Sequence, residues 1–467
     1  MSWLKSDASG DLLKWGMDTL THLRKLGLFS ARVPRYTSYP TAPVFSTATG
    51  ASFQTKCMER LDPSEPVSVY VHIPFCERLC WFCACRTQGT TSLAPVERYV
   101  DASIAELDLW RDALPEDLRM GRLHWGGGTP TIMTPAMIHK LGAALRAALP
   151  AAAPFEFSVE IDPTAVDAAK IAALTAEGMT RASIGIQDFA PEVQGAIGRE
   201  QSFEATQRCV DMLRDAGITS LNTDLVYGLP HQTEERLAET IEQVLALNAD
   251  RIALFGYAHV PTMAKRQTLV DETALPDDEA RFHLANFAAL RLRKVGFEQI
   301  GIDHFARPDD SLSVAKRAKK LKRNFQGYTD DTCPTLLGLG ASSISRFRQG
   351  YVQNASATAA YLKRIDAGQL AGHRGHFHTA EDRLRGRAIE MLMCEFHIDL
   401  DILEEEFGAM VSILGPIHDA VLRKFPGLVS LREPVLAIAP QGRPLVRMIA
   451  HCYDAYTPYG VNYSKAS

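Results

Sequence analysis

The chain has 467 residues, 46% hydrophobic and 22% charged, which is globular composition and enough length for two or three domains. A formal net charge of −5 leaves nothing to draw it to nucleic acid or to an anionic membrane surface. The start, Met1-Ser-Trp-Leu-Lys-Ser-Asp7, lacks a basic segment leading into an apolar one, and no uncharged apolar run reaches membrane-spanning length, so a soluble cytoplasmic protein is expected.

The first thirty residues carry an amphipathic helical pattern, Leu12, Trp15, Leu20, Leu23 and Leu26 against Lys14, Asp18, Arg24 and Lys25, closed by Gly27. Pro34-Arg-Tyr-Thr-Ser-Tyr-Pro-Thr41 follows as an extended, proline-bounded segment.

Next comes the densest chemical signal: Cys76, Cys80, Cys83 and Cys85 within ten residues, in Tyr70-Val-His-Ile-Pro-Phe-Cys-Glu-Arg-Leu-Cys-Trp-Phe-Cys-Ala-Cys85. Thiolates at C-x3-C-x2-C spacing suit three irons of a four-iron cluster and leave the fourth iron open for chemistry. A structural zinc site is the competing reading, since four sulfurs suffice for tetrahedral zinc. Zinc ligands usually come as two separated pairs, whereas these four crowd one loop, so the spacing favours a cluster cradle. The remaining cysteines (Cys57, Cys209, Cys333, Cys394, Cys452) are scattered and bring the count to nine, which argues against disulfides.

From about residue 66, β-type runs alternate with helical ones, the pattern of parallel strands joined by crossover helices. The predicted strands are Val67 to His72, Arg122 to Trp125, Phe155 to Ile161, Arg181 to Ile186, Thr219 to Val226 and Arg251 to Tyr257. Helices are predicted at Pro95 to Trp110, Pro135 to Ala148 and Glu234 to Leu247, and six such units make an incomplete (βα)6 barrel. Chemistry in such barrels sits at the carboxyl ends of the strands. Those ends carry the cysteine loop, Gly126-Gly-Gly-Thr-Pro130, Glu160 with Asp162, Gln187 with Asp188, Asp224, and Ala258 with His259.

Three glycines after a strand let the backbone approach a nucleotide or amino-acid moiety closely, or simply make a tight turn. Helix capping is the better reading for Asp162, which precedes Pro163, whereas Glu160 and Asp224 face the barrel mouth and suit ligand contact. Further on, Gly301 to Asp310 and Arg323 to Thr329 read as polar and aromatic loops. The run from Lys316 to Arg323 reads mainly as a solvated basic face, with Arg307 and Arg323 set apart by flanking aromatics. His373, His376 and His378 read as a surface loop, not a metal site. Thr379-Ala-Glu-Asp382 fits a helix start, opening a mainly helical C-terminal region with a short β section near Leu428 to Ile438. The expected division is an N-terminal helix and arm at 1–50, a catalytic domain at 51–360 and a C-terminal helical domain at 361–467.

Taken together, these stretches resemble the oxygen-independent coproporphyrinogen III oxidases, radical S-adenosylmethionine (SAM) enzymes of haem biosynthesis. The resemblance runs through Pro34 to Pro40, Tyr70 to Cys85, His124-Trp-Gly-Gly-Gly-Thr-Pro-Thr131, Ile186-Gln-Asp-Phe189, Asp224-Leu-Val-Tyr-Gly-Leu-Pro230, Tyr257-Ala-His259, His304 to Asp310, Arg323 to Thr329, Gly442-Arg443 and Cys452 to Tyr456. It implies a radical SAM barrel and a [4Fe–4S] cluster on Cys76, Cys80 and Cys83, with one SAM chelating the open iron. It aligns Tyr70, Gly127 and Glu160 with contacts to that SAM, and Phe82, Gly128, Thr129, Gln187, Arg199, Asp224, Ala258 and Ile344 with contacts to a second one.

The implied reaction takes one hydrogen from the β-carbon of each of two propionates of coproporphyrinogen III, and loss of CO2 and an electron leaves two vinyl groups in protoporphyrinogen IX. The cofactor carries the hard step and the protein orients it and excludes competing donors. Implied partners are coproporphyrinogen III, a reductant such as flavodoxin or ferredoxin and an unidentified electron acceptor, on an expected monomer. Arg35, Arg307 and Arg323 are candidate propionate ligands, and Cys85 is either a small thiol beside the site or a relay in turnover. At Ile449-Ala-His-Cys-Tyr-Asp454 the chain lacks the extra cysteine and methionine that relatives often carry. Haem carriage by a chaperone of the same superfamily is the alternative, as is another tetrapyrrole-acting radical SAM enzyme; Cys85, the Pro34 to Thr41 segment and Arg323 to Thr329 point to the oxidase.

Overall fold

The computed structural model describes residues 17–456 and 463–466. Two compact units divide it: Phe45–Pro276 with Asp331–His378, and the described residues of Met1–Val44, Asp277–Asp330 and Thr379–Ser467.

The first unit is built on a mixed sheet. Its parallel strands are β1 (Val67–Ile73), β2 (Met120–Gly127), β3 (Ala151–Ile161), β4 (Arg181–Gln187), β5 (Ser220–Tyr227) and β6 (Arg251–Gly256), neighbours in chain order. These are the six predicted strands, lengthened or shifted by a few residues at their ends. A seventh, β7 (Thr335–Leu339), joins the other edge of β1 in parallel, with Tyr70 opposite Gly338. It is followed by the antiparallel β8 (Ile344–Phe347), β9 (Gly350–Asn354) and β10 (Gly372–Phe377). The sheet is thus mixed, longer than the six-strand expectation, and no closed barrel is needed to describe it.

β1 is buried at every position but Tyr70, as expected of a central parallel strand covered on both faces. The crossovers are α1 (Ala94–Arg111), α2 (Pro135–Ala148), α3 (Ala168–Ala176), α4 (Pro191–Ala196), α5 (Phe203–Asp215) and α6 (Glu234–Ala246). Their starts are capped where the sequence offers a short oxygen side chain: Thr134 accepts from Met137 N–H, Asp167 from Lys170, Ser202 from Ala205 and Thr233 from Arg236. His373 and His376 lie not in a loop but in β10, whose backbone pairs with β9 from Gly350 to Asn354, and His378 follows just past the strand.

The second unit packs its helices round a core that includes Leu23, Leu384, Leu392, Leu403, Val421 and Ile449. The helix at Ala380–Glu395 opens on a full capping box between Thr379 and Asp382, as expected. The β section near its C-terminus is the pair Val429–Arg432 and Val435–Ile438, joined by His397–Asp399. The N-terminal helix is described from Met17 to Lys25, with Leu23 fully buried; Leu12, Lys14 and Trp15 lie outside the described residues. The arm after it is extended, and the buried Arg447 donates to the Pro34 carbonyl at 3.1 Å.

Two stretches read as loops are short hairpins, Glu298–Ile300 with His304–Ala306 and Lys322–Asn324 with Gly327–Thr329. Each strand has three residues, too few for alternation to show in sequence. Among the described residues no helix is long and apolar enough to cross a membrane.

Candidate functional site

The site is assembled at the carboxyl ends of β1 to β6. Alternation along β1 brings Tyr70 and His72 to one face, and the same alternation brings His124 on β2 beside them. The Tyr70 and His124 rings stack at 5.7 Å between centroids. His72 Nε2 is hydrogen-bonded to the Arg86 carbonyl at 3.1 Å and Nδ1 to the Tyr70 hydroxyl at 3.0 Å. A carbonyl can only accept, so Nε2 carries the proton and the tyrosine hydroxyl donates to Nδ1. Burial lowers the His72 pKa, which keeps the ring neutral in that arrangement.

Glu160, near the end of β3, closes the cluster. Its Oε1 accepts from His124 Nε2 at 3.2 Å and its Oε2 from Gly127 N–H at 3.1 Å. Burial alone would raise its pKa, yet the His124 hydrogen bond and charge and the Gly127 N–H outweigh that and hold it below the usual carboxylate range. The triple glycine has two different jobs. Gly127 has φ +110° and its missing Cβ would strike the His72 ring, whereas a Cβ on Gly128 would stand 2.5 Å from the Phe75 carbonyl oxygen. Gly128 N–H donates to Ile73 and Thr129 N–H to Phe75, tying the strip to the start of the cysteine loop.

That loop is gripped from one side by residues 197–200. Trp81 N–H donates to the Ile197 carbonyl at 2.9 Å and Arg78 to the Glu200 carbonyl at 2.6 Å. Arg199 is buried; its Nη1 reaches Cys80 Sγ at 3.4 Å and its Nη2 donates to the Gly185 carbonyl and to Gln201. Asp162 lies 3.6 Å from Arg199 Nη1, and its Oδ1 accepts from the Thr164 N–H and hydroxyl. It therefore turns the chain after β3 and pairs with an arginine, while Asp167 caps the helix that follows. Its pKa is held low: burial pushes upward, and the Arg199 charge and the Thr164 hydrogen bonds prevail.

The other candidates fall around the same strand ends. Gln187 ends β4 with φ +72°, a strained value for a residue with a side chain. The neighbouring Asp188 pins that bend, accepting from Ala190 N–H, the Thr240 hydroxyl and Gln232 Nε2. Asp224 accepts from Asn222 Nδ2 at 2.8 Å. Phe82 packs in an apolar cluster with Val193, Ile197, Val226, Leu229 and Tyr257. Ile344 opens β8, two strands beyond β1, with its backbone against Gly338, the register partner of Tyr70.

The cysteines fit an iron–sulfur cluster in donor chemistry. Cys76, Cys80 and Cys83 are unbridged thiols close enough to perturb one another electrostatically, and hydrogen bonds from the Cys85 side chain and backbone, with the Arg266 and Arg199 charges, favour the Cys83 thiolate. Among the described residues no three His, Cys, Asp or Glu are gathered tightly enough for a single metal ion. A four-iron cluster asks for wider spacing, since each sulfur meets a different iron. Cys85 is exposed; its N–H donates to Cys83 Sγ at 3.4 Å. His72, His124, Arg266 and Gln267 were not among the sequence candidates. The i, i+2 relation of Tyr70 and His72 is the signal that would have pointed to the first of them.

A family model described as the radical SAM superfamily matches residues 70–244. The anaerobic coproporphyrinogen III oxidase 1 of Cereibacter sphaeroides is 61% identical over 452 residues, covering 97% of this chain and 100% of that protein. The oxygen-independent coproporphyrinogen III oxidase of Paracoccus denitrificans is 52% identical over 450 residues, 96% of this chain and 100% of the relative. Among solved structures, coproporphyrinogen III oxidase (HemN) from Escherichia coli, described as a radical SAM enzyme, superposes with a TM-score of 0.86 at 36% identity, covering 91% of this chain and 100% of that one.

Proposed function

Because the chain belongs to the oxygen-independent coproporphyrinogen III oxidase family of the radical SAM superfamily, we propose that it converts coproporphyrinogen III to protoporphyrinogen IX without oxygen, two propionates becoming vinyl groups. The observation that carries this is the cysteine loop lying at the end of β1 beside the Tyr70, His72, His124 and Glu160 cluster. Membership of the superfamily implies a [4Fe–4S] cluster and SAM. When bound, they supply a carbon-centred radical that takes one hydrogen atom from substrate.

In this reading Cys76, Cys80 and Cys83 hold the cluster. Arg199 stabilises sulfur charge by a charge-assisted hydrogen bond. Tyr70, Gly127 and Glu160 position the first SAM; Glu160, kept ionised by His124 and Gly127, is an acceptor for an ammonium or ribose hydroxyl. Phe82, Gly128, Thr129, Gln187, Arg199, Asp224 and Ala258 would hold a second SAM. Ile344 we read as a wall of the first site instead, supported by its backbone lying against Gly338, the register partner of Tyr70. The apolar cluster around Phe82 keeps water and other hydrogen donors away. A low-potential donor such as flavodoxin or ferredoxin is the expected reductant, and the enzyme works as a cytoplasmic monomer.

Anaerobic reconstitution with iron and sulfide, followed by SAM, reductant and coproporphyrinogen III, tests the proposal. It requires protoporphyrinogen IX with about two methionines released per product, one for each propionate. SAM cleavage without vinyl product, or stable haem binding in its place, would refute it.

A further inference from the structure

Gln267 is 1% exposed and lies in the 3-10 turn Lys265–Leu269, which follows β6 in the chain. Its carboxamide is fully committed. Nε2 donates to the Phe82 carbonyl at 2.8 Å and to the Ala258 carbonyl at 3.0 Å, while Oε1 accepts from Val260 N–H at 2.6 Å. Two carbonyls facing one end and an N–H facing the other fix the amide orientation.

The two carbonyls belong to segments with no strand pairing between them. Phe82 sits inside the cysteine loop, between Cys80 and Cys83, and Ala258 lies just past β6. A single side chain thus does what a backbone ladder does elsewhere in the sheet. Its neighbour Arg266 takes the far end of the same loop, donating to the Thr87 hydroxyl at 2.7 Å, the Thr87 carbonyl at 3.2 Å and the Cys85 carbonyl at 3.4 Å. The grip from residues 197–200 is on Arg78, Cys80 and Trp81, so the 3-10 turn secures the half of the loop that this leaves untouched.

We propose that Gln267 is a positioning residue for the second SAM: it fixes the separation of Phe82 and Ala258, two contacts of that site. The inference rests on the two-site reading given above. Gln267 acts through the backbone carbonyls of Phe82 and Ala258. A buried amide bridging two loop carbonyls restricts their motion as well as their distance, so its loss loosens the pocket before it loosens the fold.

Gln267→Met keeps length and volume and removes the hydrogen bonds. Gln267→Glu, the closer replacement in shape, turns a carboxylate oxygen toward the two carbonyls and serves should the methionine variant not fold. Both are compared with the wild-type holoenzyme, reconstituted anaerobically, by iron per chain, SAM bound per chain in equilibrium dialysis, and amide exchange of residues 81–88. The expected result is unchanged iron, an unchanged first SAM, a second SAM weakened at least ten-fold, and faster exchange in 81–88. Wild type and variants each binding two SAM with equal affinity would overturn the inference and leave the two-site reading standing. Loss of iron from the variants would also overturn it, by making Gln267 a support of the cluster. One SAM on the wild type would overturn the two-site reading and the inference with it.

Discussion

The indole of Trp81 rests on the bare backbone of Gly198: a Cβ at that glycine would stand 2.7 Å from the ring nitrogen. Gly198 also has φ +62°, so both its shape and its conformation ask for glycine. Trp81 lies between Cys80 and Phe82, which makes this contact part of the seat of the cysteine loop. Gly198→Ala is expected to destabilise by about 1–3 kcal/mol from overpacking, with roughly 1 kcal/mol more from the left-handed backbone. Thermal unfolding and iron content after reconstitution should both fall, and a variant matching wild type in the two would show that the loop does not need this seat.

Glu160 offers a sharper separation of binding from assembly. It holds no cysteine, and its partners are His124 and Gly127. Glu160→Gln keeps the side-chain volume but exchanges one acceptor oxygen for an N–H donor facing either Gly127 N–H or His124. About ten- to hundred-fold weaker SAM binding is expected, from the loss of one charge-assisted hydrogen bond. Iron content should remain at the wild-type level. Equal loss of iron and SAM would place Glu160 in the cluster's own support.

The four cysteines should divide three to one. Replacement of Cys76, Cys80 or Cys83 by alanine is expected to leave little cluster, while Cys85→Ser should retain it, because Cys85 reaches Cys83 through its backbone N–H and its thiol, and serine keeps the N–H and offers a hydroxyl in place of the thiol. Iron analysis and the absorption of the anaerobic protein decide this. If Cys85→Ser kept the cluster and lost turnover, the thiol would have a role in the reaction; full activity would make it a small side chain beside the site.

Much of this was readable from sequence where the physics is local. Alternation on β1 to β6, Gly126 to Gly128 and the cysteine spacing each follow from nearest neighbours along the chain, and their strands and turns lie where expected. What was missed depends on partners far apart in sequence. Nothing near Gln267 reveals that it meets Phe82, and nothing near Asp162 reveals that Arg199 is its counter-ion. The seventh parallel strand was hidden for the same reason, since Thr335–Leu339 returns to β1 after a long excursion. The three-residue strands at Lys322–Asn324 and Gly327–Thr329 were beyond reach for a different cause, being shorter than any period that could announce them.

Glu106 on α1 carries a prediction about pH. It is fully buried, accepting from Gly340 N–H at 2.9 Å, the Tyr361 hydroxyl at 2.8 Å and Asn354 Nδ2 at 2.8 Å. It thereby ties the turn between β7 and β8 to α1, while Tyr99 on the same helix donates to the His72 carbonyl in the candidate site. Burial pushes its pKa up from 4.5 to about 7, further than these hydrogen bonds pull it down. The folded chain therefore binds more protons than the unfolded one between those values, so this carboxyl's stabilisation is full below about pH 4.5 and is lost as pH rises through about 7. The loss is on the order of 3 kcal/mol for a shift of this size. Glu106→Gln removes the titration, at the expense of one acceptor. Denaturant unfolding of wild type and variant at several pH values from 5 to 8 should show wild-type stability falling relative to the variant as pH rises. A constant difference across that range would mean that Glu106 holds the same charge in the folded and unfolded chain.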